Sequence, residues 1–297
     1  GGVAIFISFI LPILFIVELK KEIAILLIGG MAIFVLGFID DIYRSRASIK
    51  FIVQTIVALG VVYFGLVSRL TPFFLLDAIL TVVWIVGLTN ALNMLDNMDG
   101  LSSGITIIGA SGILGLSLIN QEIEIALLCL ALIGSCSGFL VFNFKPAKIF
   151  MGDCGALFLG YMLAMLGIMG EWQQDNQSIR TFLSPILILS LIIFDIILVT
   201  ILRLKNGKMP WQGGSDHSSH RLVHLLGGKE RIAVLIIYGL CALGSILGLV
   251  ILQINSVITV LIAASWTIIM IVFGIRLSKV ECYQKKQPYK IISNENS

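Results

Sequence analysis

The chain has 297 residues, 58% of them apolar and 12% charged, with a net charge of +3 and a mean hydropathy of +1.04. Soluble domains carry about 25% charged residues, so this composition excludes a soluble globular protein. The long apolar runs imply membrane-crossing helices rather than a barrel; the small net charge says less than its placement, and no nucleic-acid partner is expected.

The chain opens on Gly-Gly, without an initiator Met or a signal peptide, and runs at once into "VAIFISFILPILFIV". It reads as a chain that has lost its true N-terminus. A span needs about 20 apolar residues, each rising about 1.5 Å. Ten spans are expected, at about 3–18, 22–39, 50–67, 72–93, 101–119, 122–142, 154–170, 180–202, 231–252 and 255–275, the first of them short. The expected fold is all-α: a polytopic integral membrane protein of about ten transmembrane helices, with residues 1–297 forming one domain. The longest polar stretch, about 203–231, is too small for a core of its own and is expected to be a loop, on the same side as a tail at about 276–297. Cys129, Cys136, Cys154, Cys241 and Cys282 show no paired spacing, so no disulfide framework is expected.

Lys and Arg divide unequally between the two sides. Arg44, Arg46, Lys50, Lys145, Lys148, Arg203, Lys205, Lys208, Arg221, Lys229, Arg231, Arg276, Lys279, Lys285, Lys286 and Lys290 fall on one side, and Lys20, Lys21, Arg69 and Arg180 on the other. The positive-inside rule puts the richer side in the cytoplasm, with both ends of the chain there. Asp40, Asp41, Asp96, Asp99, Asp153, Asp216 and all three His share that side. On the other side Glu18, Glu22, Glu122, Glu124, Glu171 and Asp175 are expected to be solvated loop ends.

Four polar stretches interrupt the apolar pattern. In "GFIDDIYRSRASIKFIVQ", Asp40 and Asp41 close a span. They are either a solvated pair balanced by Arg44 and Arg46 or a base or metal-directed pair. Adjacent helical residues point about 100° apart, so both face one cavity only near a helix end. Lys50 opens the next span, where its long stem can hold an ammonium at the depth of a lipid phosphate. In "TNALNMLDNMDGLSSG", Asn90, Asn93, Asp96 and Asp99 step by three toward Gly100. Turn chemistry would explain some of these groups; a hard cation, or a base and ribose, would use all of them. In "NFKPAKIFMGDCGALFLG", Asp153 stands at a helix start with Lys145 and Lys148 near it. That suits either a plain N-cap or a carboxylate whose cation bridges to phosphate. In "RLKNGKMPWQGGSDHSSHRLVHLLGG", His217, His220 and Arg221 suit a phosphate or sugar better than zinc, while His224 is expected to be structural. Asp195, within "LIIFDIILVTILR", is either functional or a buried partner between helices.

Together these stretches, in this order, resemble the polyprenyl-phosphate N-acetylhexosamine-1-phosphate transferases, glycosyl transferase family 4, over nearly the whole chain, and most of all the branch that transfers N-acetylglucosamine-1-phosphate to undecaprenyl phosphate. The resemblance implies eleven spans in the family, with the first missing here. It implies transfer of a phosphosugar from a UDP-sugar to polyprenyl phosphate, release of UMP, and a need for Mg²⁺, with Mn²⁺ as a substitute. By motif, Asp40 and Asp41 match the family's Asp pair, which acts on the lipid phosphate, and Lys50 its basic partner. Asn90, Asn93, Asp96 and Asp99 match the motif near nucleotide and metal, with Asn93 assigned to the metal. Asn143 and Phe150 match positions near the uracil, Asp153 the Mg²⁺ ligand, and His217, His220 and Arg221 the His-containing loop. Ala156 departs from a Ser found in many relatives, and the Pro often found before the intramembrane Asp is absent before Asp195.

The resemblance further implies a bacterial cytoplasmic membrane, an active site facing the cytoplasm, membrane lipids as partners, and a first lipid-linked step in making a cell-envelope polysaccharide. The oligomeric state is open, a homodimer included. Phospho-N-acetylmuramoyl-pentapeptide transfer is the alternative within the family. That branch usually carries consecutive His where this chain reads "DHSSHRLV". A transporter is the alternative outside the family. It would place ion-binding residues near the bilayer midplane in repeated halves, whereas only Asp195 is deep here and no internal repeat is visible.

Overall fold

A computed structural model describes residues 1–68, 70–170, 179–210, 214–280 and 282. Arg69, Glu171, Asp175, Lys285, Lys286 and Lys290 lie outside the described residues, so the expectations that fall on them, and most of the expected tail, are not placed.

The described residues form helices and connecting turns. In chain order these are α1 (Gly2–Ile16), α2 (Lys21–Tyr43), α3 (Ala47–Tyr63), α4 (Phe74–Leu95), α5 (Leu101–Ile119), α6 (Ile123–Asn143), α7 (Gly152–Met169), α8 (Ile179–Ile188), α9 (Ser190–Lys205), α10 (Ser218–Leu225), α11 (Glu230–Val250) and α12 (Ser256–Ser278). Every expected apolar segment is helical, but the count of ten spans is not reproduced. Among the described residues seven helices (α2, α4, α5, α6, α7, α11 and α12) are long and apolar enough to cross a membrane; α8 and α9, bent by 71° at their break, would make an eighth if taken together. The helices α1 and α3 have 15 and 17 residues, about 23 and 26 Å at the helical rise, against a hydrocarbon core of about 30 Å. The sequence window for α3 ran past its true end, because Gly65 turns there with φ +96°.

The core is built around α7. Its residues from Cys154 to Gly167 are all buried, as expected of a helix that is apolar on every side. The helices α2 and α4 pack directly on it, and small residues allow the approach. A Cβ on Gly37 of α2 would stand 2.5 Å from the Cys154 Cα, and one on Gly160 of α7 would stand 2.8 Å from the Thr89 Cα. In lipid, where no hydrophobic force pulls helices together, such contacts come from close backbone packing. The Gly37 contact sets the end of α2, with its two Asp, against the start of α7. By contrast α12 is largely exposed, with its Ile, Val and Leu side chains on the outside of the bundle.

Residues assigned to the same side by the charge pattern do meet. At one end Lys20 pairs with Glu124 at 2.5 Å and Arg180 donates to the Ile254 carbonyl at 3.0 Å. The acidic and His-containing stretches gather at the opposite end, where the expected loop at 203–231 is shortened by α9 and carries α10.

Candidate active site

The site begins where α2 stops. Arg44 turns the chain with φ 51°, its N–H bonding the Asp40 carbonyl. The next N–H, from Ser45, donates to Asp40 Oδ1 at 2.6 Å. This tight turn starts α3 so that Lys50 reaches back to Asp40. The Lys50 Nζ donates to Asp40 Oδ2 at 2.8 Å and to Asp153 Oδ2 at 2.7 Å. One ammonium therefore joins carboxylates from α2 and α7, residues 103 positions apart in the second case.

Asp41 has a different task. Its Oδ1 accepts the Asp153 N–H at 2.7 Å and its Oδ2 the Cys154 N–H at 3.2 Å. These are N–H groups of the first turn of α7, which have no partner within the helix. The N-cap position, Met151, supplies no side-chain bond; the cap comes from α2. Gly152 is required between them, since its φ is +72° and a Cβ would meet Asp41 Oδ2 at 2.7 Å. The N-cap alternative for Asp153 is thereby corrected. Asp153 does not cap its own helix, and its carboxylate is directed at Lys50.

The second wall is the turn from α4 to α5. Asp96 follows the last residue of α4 and accepts the Ser102 hydroxyl at 2.6 Å. Burial, reinforced by the negative charges of Asp153 and Asp41, pushes its carboxyl up to about 6. The Asn143 Oδ1 accepts the Gly100 N–H at 2.9 Å, and its Nδ2 donates to the Ile149 carbonyl at 2.9 Å. Asp99 accepts the Ala147 N–H at 3.1 Å. These bonds tie the turn to the loop between α6 and α7. Between them lies a cavity of ≈ 180 Å³ lined by Asp96, Asn97, Met98, Asp99, Asn143, Phe150 and Met151. Phe150 is 73% exposed, free to cover a planar ligand. Asn90 donates to Val86 O at 2.8 Å and to Gln54 Oε1. Asn93 is half-buried, one helical turn further along α4.

The His-containing loop folds over a buried ionic frame. Arg203 binds Asp216 bidentately, at 2.9 and 2.7 Å, and donates to the Pro210 carbonyl at 2.6 Å. The His217 Nδ1 lies 2.8 Å from Asp195 Oδ2, and Ser218 N–H donates to Asp195 Oδ1 at 2.8 Å. Asp195 is thus the buried helix-to-helix partner of the two expected alternatives: it caps α10 and orients His217. The Ser219 hydroxyl reaches Asn97 Oδ1 at 2.8 Å, joining the loop to the cavity wall. His220 is half-buried; burial and the nearby His217 hold it below its ordinary value, so it is neutral at pH 7.

Arg221 does not face this cavity. Its guanidinium is 1% exposed and donates to the Asp216 carbonyl at 2.8 Å and the Val280 carbonyl at 2.7 Å. The expectation of a substrate contact there is replaced by a strap from α10 to the end of α12. The Arg203–Asp216 pair, the Asp41 cap and the Gln54–Asn90 bond were missed by sequence reasoning. Only Gln54, a polar residue one helical turn past Lys50 in an apolar run, left a visible signal.

Among the described residues no three His, Cys, Asp and Glu side chains form a group that could hold a metal ion. Asp153 and Asp96 lie near enough at this end of the bundle for the charge of Asp153 to push the Asp96 carboxyl up.

Residues 23–171 match glycosyl transferase family 4. A protein of Bacillus subtilis, named "Probable undecaprenyl-phosphate N-acetylglucosaminyl 1-phosphate transferase", is 39% identical over 80% of this chain and 68% of its own length. The decaprenyl-phosphate N-acetylglucosaminephosphotransferase of Mycobacterium leprae is 31% identical over 74% of this chain and 63% of its own. A phospho-N-acetylmuramoyl-pentapeptide-transferase of Limosilactobacillus fermentum is 41% identical, over 41% of each chain. The chain thus spans between 41% and 68% of the length of these three relatives. With the matched segment running from α2 to the end of α7, and so carrying Asp40, Asp41, Lys50, Asp96 and Asp153, the chain belongs to glycosyl transferase family 4.

Proposed function

We propose that this membrane protein transfers a HexNAc-1-phosphate, GlcNAc-1-phosphate in the first place, from its UDP-sugar to polyprenyl phosphate and releases UMP. The observation that carries this reading is the Lys50 ammonium held between Asp40 and Asp153 at the ends of three helices. An ammonium at headgroup depth, in an apolar bundle, is a site for a lipid-borne phosphate. The positive-inside pattern supports a cytoplasmic position for this end, where UDP-sugars are available.

The chemistry follows from the groups present. Lys50 attracts the phosphate of the lipid. Asp40, bonded to the same nitrogen, takes the last proton of that phosphate, whose second pKa is about 6, so a weak base suffices. The freed oxygen attacks the β-phosphorus of the UDP-sugar. A P–O bond to the lipid phosphate forms, the P–O bond to UMP breaks, and UMP leaves with the electron pair. Asp153, Asn93 and Asp96 would hold Mg²⁺, which when bound offsets repulsion between the two anionic substrates and stabilises the leaving UMP. The cavity beside Asp99, Asn143 and Phe150 would take the uridine, and His217 and neutral His220 offer hydrogen bonds to the sugar or its phosphate.

The choice of N-acetylglucosamine is supported by two relatives that match 80% and 74% of this chain, both N-acetylglucosamine phosphotransferases by name. Purified protein given polyprenyl phosphate with UDP-GlcNAc or with the muramoyl-pentapeptide donor tests both points. UMP release that needs the lipid and prefers UDP-GlcNAc is expected. Preference for the pentapeptide donor would overturn the sugar, and absence of lipid-dependent UMP release would overturn the reaction.

A further inference from the structure

Gln54 is 1% exposed in the middle of α3, one helical turn beyond Lys50 and next to the same cluster, and nothing in the proposed chemistry uses it. Its partner is Asn90. The amide of Asn90 is fixed from both sides. One of its N–H groups goes to the Val86 carbonyl at 2.8 Å, and the other goes to Gln54 Oε1. A backbone carbonyl only accepts, so the Asn90 nitrogen must face Val86, and Gln54 must then turn its oxygen toward Asn90. Among the described residues the buried Gln54 Nε2 has no partner. Native interiors avoid that arrangement unless another requirement holds the group in place.

The geometry points to Gln54 as a positioning residue for the transfer reaction: it consumes the last N–H of Asn90, so that Asn90 presents only its carbonyl oxygen to the substrate. An amide with both donors engaged recognises hydroxyls, amide N–H groups or a cation, and has nothing to offer a phosphate oxygen. Asn90 stands one helical turn before Asn93 on the wall that leads to Asp96. Its oxygen, which accepts no hydrogen bond among the described residues, is therefore an acceptor for the sugar or ribose of the donor, or a ligand for the ion bound with it. This assignment rests on the phosphosugar-transferase reading above.

Two substitutions separate positioning from packing. Gln54→Met keeps the volume and removes the acceptor. Gln54→Glu keeps the acceptor and adds a charge to a buried place. A packing role predicts Met to be the better replacement in every assay. A positioning role predicts opposite orders: Met the more stable on heating, Glu the more active. Gln54→Met is expected to lower kcat/KM for the UDP-sugar by about tenfold, the order of one lost hydrogen bond. In an Asn90→Ala background the same change is expected to lower it less than about twofold, since residues that act as a unit are not additive. Equal losses in both backgrounds, or Met more active than Glu, would overturn the inference while wild-type turnover kept the transferase reading intact. A wild-type protein without lipid-dependent UMP release would sink both.

Discussion

Among the described residues Lys50 is the cation that holds α2, α3 and α7 together at the site, and its removal has a calculable outcome. In Lys50→Met the stem is replaced by a side chain of similar reach, and two carboxylates lose their shared partner. Removing one partner of a fully buried ion pair costs about 3–5 kcal/mol. Here the side chains of Lys50, Asp40 and Asp153 are 19%, 9% and 32% exposed, so water screens part of the loss. A destabilisation of about 2–4 kcal/mol is expected. The assay is thermal denaturation of detergent-solubilised protein, run beside UMP release. The second variant is decisive. Asp40→Asn in the Lys50→Met background removes one of the two opposed charges, so about half of the lost stability should return, while activity stays absent because the phosphate-binding ammonium is still missing. If Lys50→Met leaves the denaturation midpoint where it was, or if Asp40→Asn adds a further loss, the ionic bridge does not organise this site.

Three further outcomes follow from the geometry. Asp153→Asn should abolish UMP release while the fold is kept, since the α7 cap is Asp41 and bonds the backbone of residue 153, and Lys50 retains Asp40 as its partner; an active variant would remove Asp153 from the chemistry. Asp96, raised to about 6 against 3.8 for the free residue, binds a proton in the folded state that the unfolded chain releases, so its contribution is fully present below about pH 4 and is lost as the pH rises through about 6. Asp96→Asn should therefore stabilise the metal-free protein by up to about 3 kcal/mol at pH 8 and hardly at all at pH 4, and an equal gain at both values would contradict the burial of that charge. Arg221→Ala should loosen the contact between α10 and the end of α12 and lower the denaturation midpoint, with the preference between UDP-sugars unchanged; a switch in donor preference at constant stability would return Arg221 to the substrate.

Composition and hydropathy were enough to read an all-helical membrane protein, because a lipid solvent leaves the backbone few choices. The same physics placed each apolar segment in a helix, and the Lys and Arg bias put the acidic stretches at one end. The motifs named Asp40, Asp41, Lys50, Asp96 and Asp153 because carboxylates at the mouths of apolar helices are costly unless they have partners or ligands. Span number was less legible. Hydropathy windows do not register that α3 stops at a turn, or that α8 and α9 are bent by 71°.

What only the tertiary structure decided is which carboxylate does what. Asp40 and Asp41 are adjacent and chemically identical in the sequence. The close approach at Gly37 hands one to Lys50 and the other to the first turn of α7. Arg203, Arg221, Asp195 and His217 likewise share one polar stretch and its flanking helix, yet two of these side chains hold the loop to carbonyls and carboxylates while Asp195 orients His217. A sequence fixes how many charges reach one face of the membrane. Their partners lie up to 113 positions apart, and only the packing of helices brings such pairs within hydrogen-bond reach, where distance and direction decide between a cap, a strap and a binding group.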